Sequence, residues 1–174
     1  SGVLLVAKNE KFRNYFIQLM QERKITKEYI AVVAGPTLGS FTIDYPIGRD
    51  KFNRTKMALR SDGKDAITNV KLNQSLGNYS VLDVSIKTGR THQIRVHLSS
   101  KKLPIIGDKT YDPAKTISKG SSEELIEIIR SFPRQALHAR LLSFECPDTQ
   151  KKLSFEIPLP SDMKNLISSL KKHS

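Results

Sequence analysis

The chain has 174 residues, 38% hydrophobic and 26% charged, which suits one folded domain with a sizeable core and argues against a disordered tail. No apolar run approaches bilayer length, and a single cysteine, Cys146, excludes an internal disulfide or a Cys-based metal cluster. A net charge of +12, spread along the chain without forming a basic amphipathic helix, favours nucleic acid over a membrane surface as partner, because each cation that meets a phosphate releases condensed counterions.

In chain order, residues 3–7 form a short apolar run that predicts a buried strand. Phe12, Tyr15, Phe16, Leu19 and Met20 then recur at helical spacing on one face. Residues 27–34 read as a strand that stops at Gly35-Pro36, and residues 41–47 as the next. The polar stretch 49–64 carries Arg49, Lys51, Arg54, Lys56, Arg60 and Lys64 against only Asp50 and Asp62, a loop suited to following a phosphate backbone. Strands are predicted over 66–72 and 80–86, the second with Leu82, Val84 and Ile86 on one face.

A helix is predicted over 91–100 with Thr91 as its cap, and another after the capping box of Ser121 and Glu124. Residues 136–144 and 153–157 read as the last strands, and Met163, Leu166, Ile167 and Leu170 as a closing helix capped by Ser161 or Asp162. Strands outnumber helices and several follow one another directly, which predicts an α+β fold with a largely antiparallel sheet. No Gly-rich phosphate loop is present.

The segment richest in hydrogen-bond donors is Lys87-Thr88-Gly89-Arg90-Thr91-His92-Gln93-Ile94-Arg95-Val96-His97-Leu98: a strand end, a glycine turn and a helix start. Lys87 and Arg90 beside a helix N-terminus suit a phosphate, and Arg95, one turn in, is placed to meet a buried carboxylate from elsewhere. His92 and His97 read as hydrogen-bonding residues, Asp108 as a turn residue after Gly107, and Cys146 as a small structural hydrophobe. Two histidines without a third ligand make no metal site.

This twelve-residue segment closely resembles a signature of the RluA-type RNA pseudouridine synthases. Four more segments agree in order: Ser1-Gly2-Val3-Leu4-Leu5-Val6-Ala7-Lys8; Ile25-Thr26-Lys27-Glu28-Tyr29 with Ala31 and Gly35; Pro104, Gly107, Asp108 and Tyr111; and Arg134-Gln135-Ala136-Leu137-His138-Ala139, the last most similar to the RluD-like branch. The resemblance implies a bent, mixed, mostly antiparallel sheet with flanking helices and a basic cleft for RNA. It implies isomerisation of uridine in place, without cofactor or metal. Residues 1–174 then make up the larger, C-terminal part of a catalytic domain. The family's aspartate belongs upstream of Ser1, so the parent protein is expected to be an active synthase and this polypeptide alone an inactive, weakly stable piece with unpaired sheet edges.

By position the resemblance assigns Tyr29 to the uracil, by stacking and proton transfer, and Arg95 to an ion pair with that aspartate. Lys87, Arg90, Thr91, His92 and Leu137 are expected to bind substrate, Leu137 as part of an apolar floor beneath a base turned out of its stack. The expected partner is RNA, ribosomal first and tRNA second, and the expected setting that of a cytoplasmic monomer. The alternative is a non-catalytic RNA-binding module that keeps the synthase fold.

Overall fold

Asn9 opens the first helix, its side chain accepting the Phe12 N–H at 2.9 Å, and α1 (Glu10–Gln21) buries Phe16 and Leu19. The computed structural model describes residues 1–114 and 116–173. After α1 come β1 (Thr26–Ala34), β2 (Ser40–Asp44), β3 (Ile47–Arg49), β4 (Met57–Leu59), β5 (Ile67–Leu76) and β6 (Tyr79–Ile86). The chain continues through α2 (Gln93–Ser100), α3 (Glu123–Ser131), β7 (Leu137–Glu145), β8 (Lys152–Glu156) and α4 (Ser161–Lys172). Among the described residues no helix is long and apolar enough to cross a membrane.

Six strands form one sheet in the order β2-β5-β6-β1-β7-β8, with antiparallel pairing between every neighbouring pair. A separate two-stranded ribbon joins β3 to β4. Its central position explains why β1 reads as an unbroken apolar run from Ile30 to Ala34: neighbours on both edges and packing on both faces leave these residues buried. The main core unites β1, β5 and β6 with apolar residues of α2, α3 and α4, among them Ile94, Leu98, Leu125, Ile129, Met163 and Leu166. A second cluster, Phe16, Leu19, Ile25 and Phe144, docks α1 on the lower end of the sheet. A third, Ile47, Ala66 and Val96 with Met57, Leu59 and Tyr111 against it, anchors the β3–β4 ribbon.

β7 carries a bulge. Tyr29 pairs with Ala139 and Glu28 with Leu141, leaving Arg140 as the extra residue. Ala139 and Leu142 therefore lie on the same face although their spacing is odd. Arg140 points to the opposite face, within ion-pairing distance of Glu28 (2.6 Å) and Asp83 (3.8 Å).

Four local expectations are corrected. Residues 3–7 are not a buried strand: only Gly2 bridges to β7, at Ala139, and Leu4 beyond it is 84% exposed. The expected strand 41–47 ends at Asp44, because Pro46 brings no N–H to the ladder and Ile47 begins the ribbon. The cap of α3 is Ser122, whose hydroxyl accepts from Leu125 N–H, while Ser121 donates to the Ser118 carbonyl. α4 has Pro160 at its cap position; Asp162, inside the first turn, accepts the Met163 N–H and pairs with Arg134.

Candidate functional site

Tyr29 and Lys27 lie two residues apart on β1 and so share one face of the sheet. Both line an apolar pocket of about 290 Å³ together with Leu4, Leu5, Ile17 and Met20. Burial in this pocket raises the Tyr29 phenol above its ordinary pKa. The same burial, helped by the nearby Arg90 guanidinium, lowers that of the Lys27 ammonium. Leu137 lies one pairing step along the same face, opposite Ala31, half-buried against the main core.

Ile17 and Met20 also line a second hollow, whose far wall is Lys87, Thr88, Gly89 and Arg90. A side chain at Gly89 would come within 3.5 Å of Lys27 Nζ, so the glycine turn passes beside the ammonium group of a residue that lines the Tyr29 pocket. Lys27 thus stands in the Tyr29 pocket itself, and Lys87 and Arg90 line the neighbouring hollow. Arg90 is aimed by its Nε, which donates to the Asp65 carbonyl at 2.9 Å.

The turn itself is held by Gln93, a residue that composition and charge give no reason to single out. Its Oε1 accepts from Arg90 N–H and from the Thr88 hydroxyl, and its Nε2 donates to the Ile67 carbonyl and the Thr68 hydroxyl. Both ends of this buried amide are satisfied, which fixes the position of Arg90 relative to β5. Thr91 is not the cap of α2: it is exposed, and the N-cap position belongs to His92, whose left-handed φ of 57° sets where the helix begins.

Arg95 and His92 form a separate cluster around Tyr111. Arg95 grips Asp108 in a bidentate pair, Nε and one Nη each at 2.7 Å from a carboxylate oxygen, and its guanidinium lies 4.8 Å from the Tyr111 ring centre. Asp108 is 1% exposed. Burial pushes its carboxyl upward, but Arg95 and the N–H groups of Tyr111 and Thr110 outweigh this and hold it below its ordinary value. Asp108 is therefore a turn residue, as expected, and also the buried carboxylate that Arg95 meets. The Tyr111 hydroxyl meets His92 Nδ1 and accepts from Met57 N–H, both at 2.9 Å, so it ties the start of α2 to β4. Burial and the Arg95 charge lower the His92 pKa and favour its neutral ring.

The structure thus gathers Tyr29, Lys87, Arg90 and Leu137 along one side of the sheet, and adds Lys27. It places Arg95 and His92 in an adjoining cluster that supports the turn from behind. Alternation along β1 was the available signal for Lys27, since it must share the face of Tyr29. Tyr111 carries only a sequence signal of association with Gly107 and Asp108; its hydroxyl contacts depend on tertiary packing.

Residues 1–100 match the family described as RNA pseudouridylate synthase. The chain is 38% identical over 174 residues to a protein of Xanthomonas campestris named ribosomal large subunit pseudouridine synthase D. It is 40% identical over 171 residues to the protein of that name from Vibrio cholerae, and 39% identical over 174 residues to an uncharacterized RNA pseudouridine synthase, YlyB, of Bacillus subtilis. It covers 98 to 100% of itself and 53% of each relative, and so spans about half the length of the curated relatives it matches. Among solved structures, human RNA pseudouridylate synthase domain containing 4 aligns over 94% of this chain and 69% of its own, with TM-score 0.72 at 23% identity. Human RNA pseudouridylate synthase domain containing 1 aligns over 95% and 74%, with TM-score 0.67 at 26% identity.

Proposed function

Since the chain belongs to the RNA pseudouridylate synthase family, we propose that its parent protein converts uridines of large-subunit ribosomal RNA to pseudouridine, and that residues 1–174 are the larger part of its catalytic domain. The observation that carries this is the convergence of Tyr29, Lys27 and the Gly89–Arg90 turn on one concave, cationic surface. The relatives' names point to ribosomal RNA, and the net charge suits a polyanion.

A uridine turned out of its stack enters the pocket with its base against the Tyr29 ring, and Leu137, one pairing step along the same face, extends the apolar floor beyond it. The half-buried phenol, with its pKa raised, stays protonated at neutral pH, so it relays the proton that must leave C5 by handing its own on as it takes that one up; the proton lost by C5 is balanced by the one N1 gains once its bond to the ribose is broken. The isomerisation breaks the N1 glycosidic bond and forms one to C5, with no net change in atoms and no oxidant. The acting carboxylate comes from a segment of the parent before Ser1. Arg90, in the hollow that shares Ile17 and Met20 with the Tyr29 pocket, is the cation we assign to this carboxylate. Arg95, already engaged by Asp108, serves the site by fixing His92 and Tyr111 beneath the turn.

The test is pseudouridine formation in ribosomal RNA by the full-length protein, read by mass spectrometry of nuclease digests. Activity that Tyr29→Phe and Arg90→Ala each reduce at least a hundredfold supports the assignment. RNA binding without any isomerisation by the full-length protein leaves only a binding module.

A further inference from the structure

The basic ribbon and the glycine turn enclose a third hollow, which the proposed isomerisation does not use. It has a volume of about 500 Å³ and is lined by Arg49, Thr55, Lys64, Gly89, Arg90 and Thr91, among others. Gly89 and Arg90 line this cleft as well as the hollow next to the Tyr29 pocket, so the two lie on either side of the same turn. Six cations face two carboxylates over residues 49–64, and both carboxylates are already committed. Asp62 is paired with Arg60, and Asp50 accepts the N–H groups of Phe52 and Asn53 at 2.8 Å.

At the tip of the ribbon Phe52 is 98% exposed. Its backbone is nevertheless tightly held: besides the two bonds to Asp50, Asn53 Oδ1 accepts from Thr55 N–H and hydroxyl, and Arg49 donates to the Arg54 carbonyl. A phenyl ring held in water by an ordered turn, between Arg49 and Thr55 of the cleft wall, presents both faces to a partner. The ribbon is also fastened to the turn opposite, through Met57 N–H, Tyr111 and His92. Both walls of the cleft therefore keep their spacing before anything binds, which lowers the ordering cost of association.

We propose that this cleft binds a short single-stranded stretch of RNA next to the target uridine, with Phe52 stacking on one of its unpaired bases. This rests on the reading of the chain as part of an RNA-modifying enzyme and adds to it a residue outside the conversion site, Phe52, that selects an unpaired flanking base over one stacked within a duplex. Charge complementarity selects the polyanion. The exposed ring selects an unstacked base, because a base within a duplex has no free face to offer.

The experiment uses the full-length protein with a fluorescein-labelled single-stranded RNA and the blunt duplex of the same sequence. A parallel set of strands carries a fluorescent adenine analogue at successive positions. Phe52→Ala is expected to weaken single-strand binding about tenfold, and duplex binding less than about twofold. It should also abolish quenching of the analogue at one position, which Phe52→Trp should restore. Lys64→Ser should reduce the dependence of affinity on salt by about one unit of slope, for a phosphate contact. Phe52 has no packing role, so equal melting temperatures of variant and wild type are the control for folding. Unchanged single-strand affinity in Phe52→Ala, an equal loss on the duplex, or a loss seen only with ribosomal particles and not with naked RNA would each overturn the proposal. Phe52-dependent binding in a full-length protein that forms no pseudouridine would overturn the activity and leave the cleft assignment standing.

Discussion

Removing the carboxylate of Asp108 should cost far more than a surface substitution. Asp108 is 1% exposed, and the Arg95 side chain is 13% exposed, so Asp108→Ala strands a guanidinium that water barely reaches. Breaking one side of such a buried pair costs about 3–5 kcal/mol. The lower end applies, because Arg95 keeps its contact with the Tyr111 ring. The Thr110 and Tyr111 N–H groups also lose their acceptor at Oδ1. At roughly 2–4 °C per kcal/mol for a chain of this size, a loss near 3 kcal/mol lowers the melting temperature by about 6–12 °C.

Asp108→Asn keeps an oxygen for the two N–H groups and should lose about half as much. Since the folded-state pKa of Asp108 lies below its unfolded value, the gap between wild type and Asp108→Asn is full above about pH 4 and closes as the pH falls further. Thermal unfolding of the full-length protein by circular dichroism, at pH values spanning that window, measures this. A double-mutant cycle with Arg95→Met should return a coupling of about 2 kcal/mol. Additive effects, or an Asp108→Ala variant that melts within about 2 °C of wild type, would refute the idea that the pair holds the floor of the site.

Gly107→Ala should abolish stable folding: at φ 76° its added Cβ would run into the Arg134 carbonyl oxygen, a clash that only backbone movement can relieve, and soluble yield with circular dichroism reports it. Gln93→Leu should lower stability by about 2–4 kcal/mol in chemical denaturation, since it takes away the acceptor of the Thr88 hydroxyl and of the Arg90 N–H that hold the turn. Lys27 has a folded-state pKa below its unfolded one, so the unfolded chain holds that proton more tightly and stability rises with pH across the interval between the two. RNA affinity should run the opposite way, falling as Lys27 loses its charge at a lower pH than an ordinary lysine would, and Lys27→Arg should move that fall upward in a titration of affinity against pH.

Local periodicity made most of the scaffold legible. The apolar run of β1 and the helical spacing of Phe12, Phe16 and Leu19 follow directly from which faces are buried. The same logic misread residues 3–7, because an apolar run says what would gain from burial and not whether a neighbour is there to bury it. Caps were misplaced by one residue at Ser121 and at Thr91, where adjacent candidates compete and a positive φ at His92 decides the outcome. At the site, Tyr29, Arg90 and Leu137 could be named from motifs, whereas the grip of Arg95 on Asp108 joins residues from two motifs whose proximity no spacing rule predicts. Gln93 was hidden for the opposite reason: its role is to satisfy backbone groups of another strand, visible only once β5 lies beside the turn.

The extra residue at Arg140 makes the two halves of β7 follow opposite parities. Above it the odd positions Leu137 and Ala139 face the Tyr29 side; below it the even positions Leu142 and Phe144 do, and Phe144 seals α1 to the sheet. Arg140 therefore has two separable values, one as a side chain and one as a count. Exchanging it for alanine forfeits partly exposed ion pairs. Deleting it shifts one half of the strand by a single place and turns either the pocket residues or the α1 anchor to the wrong face. Insertions and deletions in β7 are thus constrained in number even where the side chain they touch is dispensable, and natural variation there should run through substitution while length stays constant.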